Sequence, residues 1–303
     1  MSRSVDDAGR PRRVGLAWSL FSAVGSALMV IPWKRANEVG DPAHAVLILL
    51  TVAALGSTGM ALSARLGQRK PPRRSVWVNL GVALALAGFT LAGNSLSALA
   101  IRDLSPALLN VLLRAEVPLV AIFGWLLLGE RVERRFWVGA AVAGVGLVVL
   151  QGLPFAAGPR SPEPGTLLAV GASACFGALV LMTRFSIQRI DPVVVNALRL
   201  WIAVALWFGF NEVPDWERVP REQWVYATLA AIAGPFLGRL ALMFSSRFIE
   251  ARLSTLASLT APVMTLGLAY LLLGHWPESH QLAGGAIMLV GISLPLLGAG
   301  RRA

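Results

Sequence analysis

SPALLNVLLRAEVPLVAIFGWLLLGERVERRFWVGAAVAGVGLVVL, residues 105–150, reads as a long apolar helix, a short basic loop and a second apolar helix. A variant returns at residues 251–294: ARLSTLASLTAPVMTLGLAYLLLGHWPESHQLAGGAIMLVGISL. In both copies a proline sits within the first apolar run, Pro118 and Pro262, and an LLLG stop closes it at Gly129 and Gly274. Two further glycines follow at matched spacing, Gly139 and Gly146 against Gly284 and Gly291. The first copy also carries Arg114 and Glu116 deep inside the apolar run. Two membrane hairpins, one of them holding charge, organise the reading of the rest.

Composition agrees. The chain has 303 residues, 56% of them hydrophobic and 14% charged, with a mean hydropathy of +0.66. A soluble domain is about 25% charged, so the chain is read as an integral membrane protein. Its net charge of +11 does not point to nucleic acid, because the basic residues fall mostly in short loops between apolar runs and so set topology. The single cysteine, Cys175, allows no intrachain disulfide and reads as a packing residue. Arg12 and Arg13 precede an apolar run of about 20 residues, long for a signal peptide and read instead as the first span.

Apolar runs of membrane-crossing length lie near 14–33, 43–64, 76–100, 104–128, 136–152, 165–183, 192–210, 224–246, 253–273 and 281–299. The expected fold is therefore all-α, with ten transmembrane helices and no soluble domain. With the N-terminus inside, 18 basic residues fall on the cytoplasmic side. Only Lys34, Arg35, Arg102, Arg160, Arg218 and Arg221 fall opposite, and Arg114, Arg199 and Arg239 lie inside runs. Both termini are expected in the cytoplasm, at the inner membrane. The duplication extends upstream. Gly15 matches Gly165, Lys34 matches Arg184, and Asp41-Pro42 matches Asp191-Pro192 at an offset of 150. Five helices per half is an odd number, so the second half is expected upside down. The halves are read as 14–152 and 165–299, with 153–164 as linker.

The duplicated set resembles the drug/metabolite transporter superfamily, EamA type. The paired proline-then-LLLG segments carry the resemblance, with LLLGE at 126–130 and LLLGH at 271–275, together with NALRLWIA at 196–203. It implies a central cavity lined mainly by helices 1, 3 and 4 of one half and 6, 8 and 9 of the other. It also implies export of amino acids or other small metabolites. The chain departs from an even duplication at Leu49, the counterpart of Arg199, and at His275, which stands where the first copy has Glu130.

Arg114 lies about ten residues into its run, roughly 15 Å down and near mid-bilayer. A charge at a helix centre costs roughly 2.5–3.5 kcal/mol, so Arg114, Glu116, Arg199 and Arg239 are expected to face protein or a wet cavity. Two residues apart on a helix, Arg114 and Glu116 point to nearly opposite faces. Arg199 and Arg239 are then the candidate partners of Glu116. Two roles stay open: internal salt bridges that lock the fourth helix, or arginines that hold a substrate carboxylate or phosphate. The repeat sets Ser258 and Thr260 opposite Arg114 and Glu116, and Asn94 opposite Arg239. One charged and one hydroxylic half would suit a single anionic or zwitterionic molecule.

Asn94, Asn110 and Asn196 are candidate polar contacts. Pro118 and Pro262 are candidate hinges, each expected to free the carbonyl four residues earlier. Glu116 is the candidate for proton coupling. Trp18, Trp201 and Trp207 are read as packing or cavity residues. Trp33, Trp77, Trp137 and Trp224 are read as interface anchors.

The leading expectation is a secondary transporter working by alternating access, with a small-molecule substrate, the bilayer as its surroundings and no partner subunit required. A sensor or scaffold that binds a metabolite without moving it, and a flippase for lipid headgroups or drugs, are the alternatives. No catalytic, metal or cofactor site is expected. His44, His275 and His280 all lie at loop ends, and no GxxxxGK[ST] loop is present.

Overall fold

The computed structural model describes residues 6–66, 76–104, 109, 112–129, 132–150, 152, 164–187, 191–264, 267, 270, 276 and 278–298. Its first three helices are α1 (Asp6–Glu38), α2 (Pro42–Leu66) and α3 (Val76–Asp103). Then come α4 (Glu116–Leu128), α5 (Arg134–Leu150), α6 (Pro164–Ser186) and α7 (Pro192–Phe210). The last three are α8 (Arg221–Ser245), α9 (Ala251–Ser258) and α10 (Ser279–Gly298). No strand occurs among the described residues.

Among the described residues, six helices are long and apolar enough to cross a membrane: Arg12–Glu38, Pro42–Ser63, Asn79–Ala100, Pro164–Ser186, Pro192–Phe210 and Arg221–Ser245. Glu116–Leu127 and Ser279–Leu294 are shorter apolar helices. Leu127, Phe185 and Phe210 turn outward and stay exposed, as side chains that meet lipid must.

Local chemistry explains the boundaries. Asp191 caps α7, accepting from the Val193 and Val194 amides at 3.0 and 3.4 Å, with Pro192 as the first helical residue. Asp41 does the same ahead of α2, accepting from the Ala43 amide at 2.8 Å. Gly129 ends α4 at φ +65°, its N–H bonded to the Gly124 carbonyl. Only glycine takes that conformation without a Cβ penalty. Its counterpart Gly274 lies outside the described residues, as do the linker residues 153–163 and His275.

Two expectations fail here. Run 104–128 is not one helix, because the chain turns at Arg114–Ala115 and α4 starts at Glu116. Run 253–273 breaks alike, at Leu259–Thr260, and is helical again over 261–264. Pro118 therefore sits in the first turn of α4, where helical N–H groups lack partners anyway. The Arg114 carbonyl is not freed, since it accepts from the Val117 amide at 3.0 Å. The apolar pattern runs straight through both breaks and so could not reveal them.

The helix pairings obey a two-fold rule: exchanging each helix with the one five places away maps the contacts onto themselves. α5 packs on α10 and α2 on α7. The pairs α1–α8, α2–α8 and α1–α9 recur as α6–α3, α7–α3 and α6–α4. Single residues repeat the rule. Gly15 abuts Phe248 and Ile249, and Gly165 abuts Asp103 and Leu104, their equivalents at an offset of 145. At the α5–α10 crossing, Gly146 faces the Met288 and Gly284 backbones, and Gly291 faces those of Ala143 and Gly139. Helix axes so close require small residues.

A Cβ at Gly146 would strike backbone, whereas one at Gly144 would meet nothing within 4 Å. Gly146→Ala is expected to cost about 1–3 kcal/mol by overpacking, and Gly144→Ala little. Thermal unfolding of the purified variants in detergent checks the contrast.

Candidate substrate site

The central cavity has a volume of about 200 Å³, the share of roughly seven liquid waters. α1 supplies Ser22, Ser26, Met29, Val30 and Trp33; α3 supplies Thr90, Asn94 and Ser97. The first broken segment supplies Leu113, Arg114 and Glu116, and the second supplies Ser258. Phe176 and Leu179 come from α6, Arg199 from α7, and Gly234, Pro235, Gly238, Arg239 and Leu242 from α8. The walls obey the repeat. Asn94, Ser97 and Thr90 face the positions of Arg239, Leu242 and Pro235, and Ser26 and Met29 those of Phe176 and Leu179. The cavity thus straddles the pseudo-two-fold relation between the halves.

Among the described residues, three arginines and one glutamate line this space, and they are not equivalent. Arg199 is 1% exposed. Its Nε and one terminal nitrogen donate to Asn196 Oδ1 at 3.0 and 2.8 Å. Its other terminal nitrogen donates to Thr90 Oγ1 at 2.6 Å, and the Pro235 carbonyl accepts at 3.3 Å. Asn196 in turn donates to Ser57 Oγ at 2.8 Å, and Thr90 to the Leu86 carbonyl at 2.7 Å. One buried cation therefore ties together α2, α3, α7 and α8. Pro235 can reach it because α8 passes through a π-helical stretch over Ile232–Gly238, the distortion expected around an internal proline.

Arg114 and Arg239 differ. Arg114 Nε and one terminal nitrogen of Arg239 are buried without a hydrogen-bond partner. Arg239 lies over the Phe176 ring, 5.8 Å from its centroid, in cation–π range. Glu116 interacts electrostatically with Arg239 most strongly and then with Arg114. Among the described residues, no salt bridge within 4 Å involves any of the three. Two half-buried cations that line the cavity thus each keep a donor nitrogen without a partner.

The comparisons with known proteins fit this arrangement. The model of the EamA-like transporter family matches residues 13–151 and 163–297, once per half. The chain belongs to the EamA-like transporter family. That makes it a membrane transporter of two repeats, with a small-molecule substrate. Of the solved structures, 28 chains match. One, titled "Crystal structure of protein", is 20% identical with a TM-score of 0.72 and covers 98% of this chain and 99% of its own. It shows a shared fold. No curated protein matches the sequence.

The other residues singled out from the sequence of this EamA-like transporter spread more widely. Asn94 lines the cavity and donates to the Thr90 carbonyl at 2.7 Å. Ser258 lines it and donates to the Thr255 carbonyl at 2.6 Å. Thr260 stands off the wall, buried and bonded to the Ala257 carbonyl at 2.8 Å. Asn110 lies outside the described residues. Trp33, expected at the membrane interface, is instead buried and lines the cavity. Trp207 is buried in the core, Trp18 stacks on Phe244, and Trp201 donates to Thr58 Oγ1 at 2.9 Å, so none of these lines it.

Sequence reasoning missed Ser22, Ser26, Thr90, Ser97 and Phe176. The signal was there: Ser22, Ser26, Met29 and Trp33 recur at helical spacing, as do Thr90, Asn94 and Ser97.

Arg199→Ala would strand Asn196 Oδ1, at about 1–3 kcal/mol for the unsatisfied group, and would leave the Thr90 hydroxyl with its bond to the Leu86 carbonyl alone. Its melting temperature is expected to fall by roughly 5 °C or more. Arg114→Ala removes a cation with an unpartnered donor and is expected to stay near wild type, whereas Arg239→Ala also takes from Glu116 its strongest cation and is expected to fall below Arg114→Ala. Thermal unfolding of all three in one detergent checks this ordering.

Proposed function

We propose that the chain is a secondary transporter that exports a small anionic or zwitterionic metabolite, such as an amino acid or a related compound, by alternating access. One observation carries the reading: Arg114 and Arg239 line a cavity on the pseudo-two-fold, each with a donor nitrogen that has no partner, and Glu116 is the one carboxylate among the described residues of its wall. An anion would supply the missing acceptors. Asn94, Asn110, Arg199, Ser258 and Thr260 complete the proposed polar surroundings, with Arg199 holding the wall in place. Pro118 and Pro262 act as hinges next to the two chain breaks. Glu116 is the proposed proton carrier.

The proposed topology is ten spans in two inverted halves, 14–152 and 165–299, joined by 153–164. Both termini face the cytoplasm across the inner membrane, as the basic residues favour. A monomer suffices, since the two halves already supply the inverted pair. Inverted repeats that rock about a midplane site are an established route to alternating access.

Two equivalent seals support the rocking. Ser19 of α1, Ser245 of α8 and Ser254 of α9 are fully buried and mutually hydrogen-bonded, at 2.6, 3.0 and 3.0 Å. The repeat maps Ser19 and Ser245 onto Ala169 of α6 and Ala100 of α3, which pack with Leu104 and Leu109.

Counterflow in proteoliposomes loaded with amino acids and organic anions tests the reading. Labelled uptake is expected in wild type, with a loss of about tenfold or more in Arg114→Ala and Arg239→Ala, as for a lost hydrogen bond to a charge. In Glu116→Gln, flux is expected to stop responding to a pH gradient. Flux that survives all three changes would make the charges structural. Binding without flux would favour a sensor.

Cross-linking tests the motion. In a Cys175→Ala background, Ser19→Cys/Ser254→Cys is expected to form a disulfide under oxidant and to stop counterflow until reductant is added. Unchanged flux in the fully cross-linked protein would rule out opening at this seal.

A further inference from the structure

A second, half-open cavity lies beside the turn at Arg114–Ala115, with Trp137 and Ala141 of its wall exposed. Its volume is about 500 Å³, and its walls come from α4, α5, the broken segment and Leu259. Trp137, Ala141, Gly144 and Leu147 of α5 line one side, and Pro118 of α4 lies among the rest. Its only charged wall residue among those described is Arg114, which also lines the central cavity. Space is kept open by the small residues of α5. No atom lies within 4 Å of where a Cβ on Gly144 would stand.

Water finds almost no polar partner in such a space. An engineered cavity of about 150 Å³ already takes benzene, so this one has room for a chain of many carbons. The cation at its edge fixes the charge of what enters. Arg114 and Ala115 form the turn itself and both line this cavity. A group held at Arg114 therefore sits directly against the apolar space.

From this juxtaposition we infer that the site takes a single-chain anionic amphiphile, its carboxylate on Arg114 and its unbranched apolar tail in the second cavity. The inference rests on Arg114 as an anion ligand, as proposed above. It narrows the substrate class from any small anion to one with an apolar chain. The Arg114 guanidinium, only partly buried, receives the head, and the tail lies along the apolar wall.

The test is a binding series with acetate, butyrate, hexanoate and octanoate on the full chain in nanodiscs, read by thermal stabilisation. Affinity is expected to rise roughly two- to fourfold per added methylene, the value of burying each CH₂. Arg114→Gln is expected to weaken all four alkanoates alike, by roughly tenfold. Gly144→Leu, which fills the second cavity, is expected to flatten the series and leave acetate unchanged. Ala141→Leu on the same wall serves as a second filling variant should Gly144→Leu fold poorly.

Acetate binding at Arg114 with no dependence on chain length would overturn this inference and leave the anion site standing. A length dependence that survives both filling variants would overturn it too, because the gain would then come from the bilayer. If no alkanoate binds while an amino acid still stabilises the protein, the inference falls and the proposed site stands; if neither binds, both fall.

Discussion

Arg199 is a cation held in the interior by neutral groups alone. Placing it there costs roughly 2.5–3.5 kcal/mol on insertion scales. Hydrogen bonds to a charge return about 1.5–3 kcal/mol each, and Arg199 makes four. These bonds offset the cost of burial, and the donors reach α3 and α8 as well as Asn196 on its own helix. Through Asn196 and Ser57 the network also includes α2. The π-helical stretch of α8 is held at Pro235 by the same group, and Arg239 follows that stretch directly. The position of Arg239 in the cavity thus depends on a residue whose own donors are already occupied.

The architecture was legible where it is written in small residues and caps. The matched glycines of the two hairpins are the points where α5 and α10 touch backbone to backbone. The repeated Asp-Pro pairs are helix starts, each with an aspartate accepting from amides two or three residues on. Such signals are local, or depend on the absence of a side chain, so a sequence reveals them directly. The breaks at Arg114–Ala115 and Leu259–Thr260 are different. The residues around them are apolar and helix-compatible, and only the tertiary setting decides that the helix stops. Trp33 was misplaced for a related reason. A tryptophan near the end of a run usually marks the interface, but α1 continues to Glu38, which puts Trp33 more than a turn inside it.

The charged site was half legible. The sequence singles out the four charged residues of the cavity wall and their unequal counterparts in the other half. It does not separate Arg199, which is satisfied, from Arg114 and Arg239, which carry unpartnered donors, because that difference lies in partners from two other helices and in Asn196 on its own helix. The break also removes the premise that set Arg114 and Glu116 on opposite faces of one helix. With a turn between them, both line one cavity. The serines and threonine of the wall went unnoticed because hydroxyls are common in membrane helices and take on meaning only when aligned on one face.

The two seals carry the asymmetry from chemistry to motion. Opening a cluster of three hydroxyls exchanges hydrogen bonds with one another for hydrogen bonds with water, at a net cost of about 0.5–1.5 kcal/mol per bond. Opening the equivalent contact of Ala169, Ala100, Leu104 and Leu109 exposes apolar surface at about 25 cal/mol per Å² and recovers nothing from water. On the alternating-access reading, the empty protein then opens more readily at the serine end. Ser245 and Ser254 flank the segment holding Arg247 and Arg252, which lies in the cytoplasm in the proposed topology. An empty carrier that favours the cytoplasmic opening is loaded from inside the cell, which is what an exporter of a cytoplasmic anion requires.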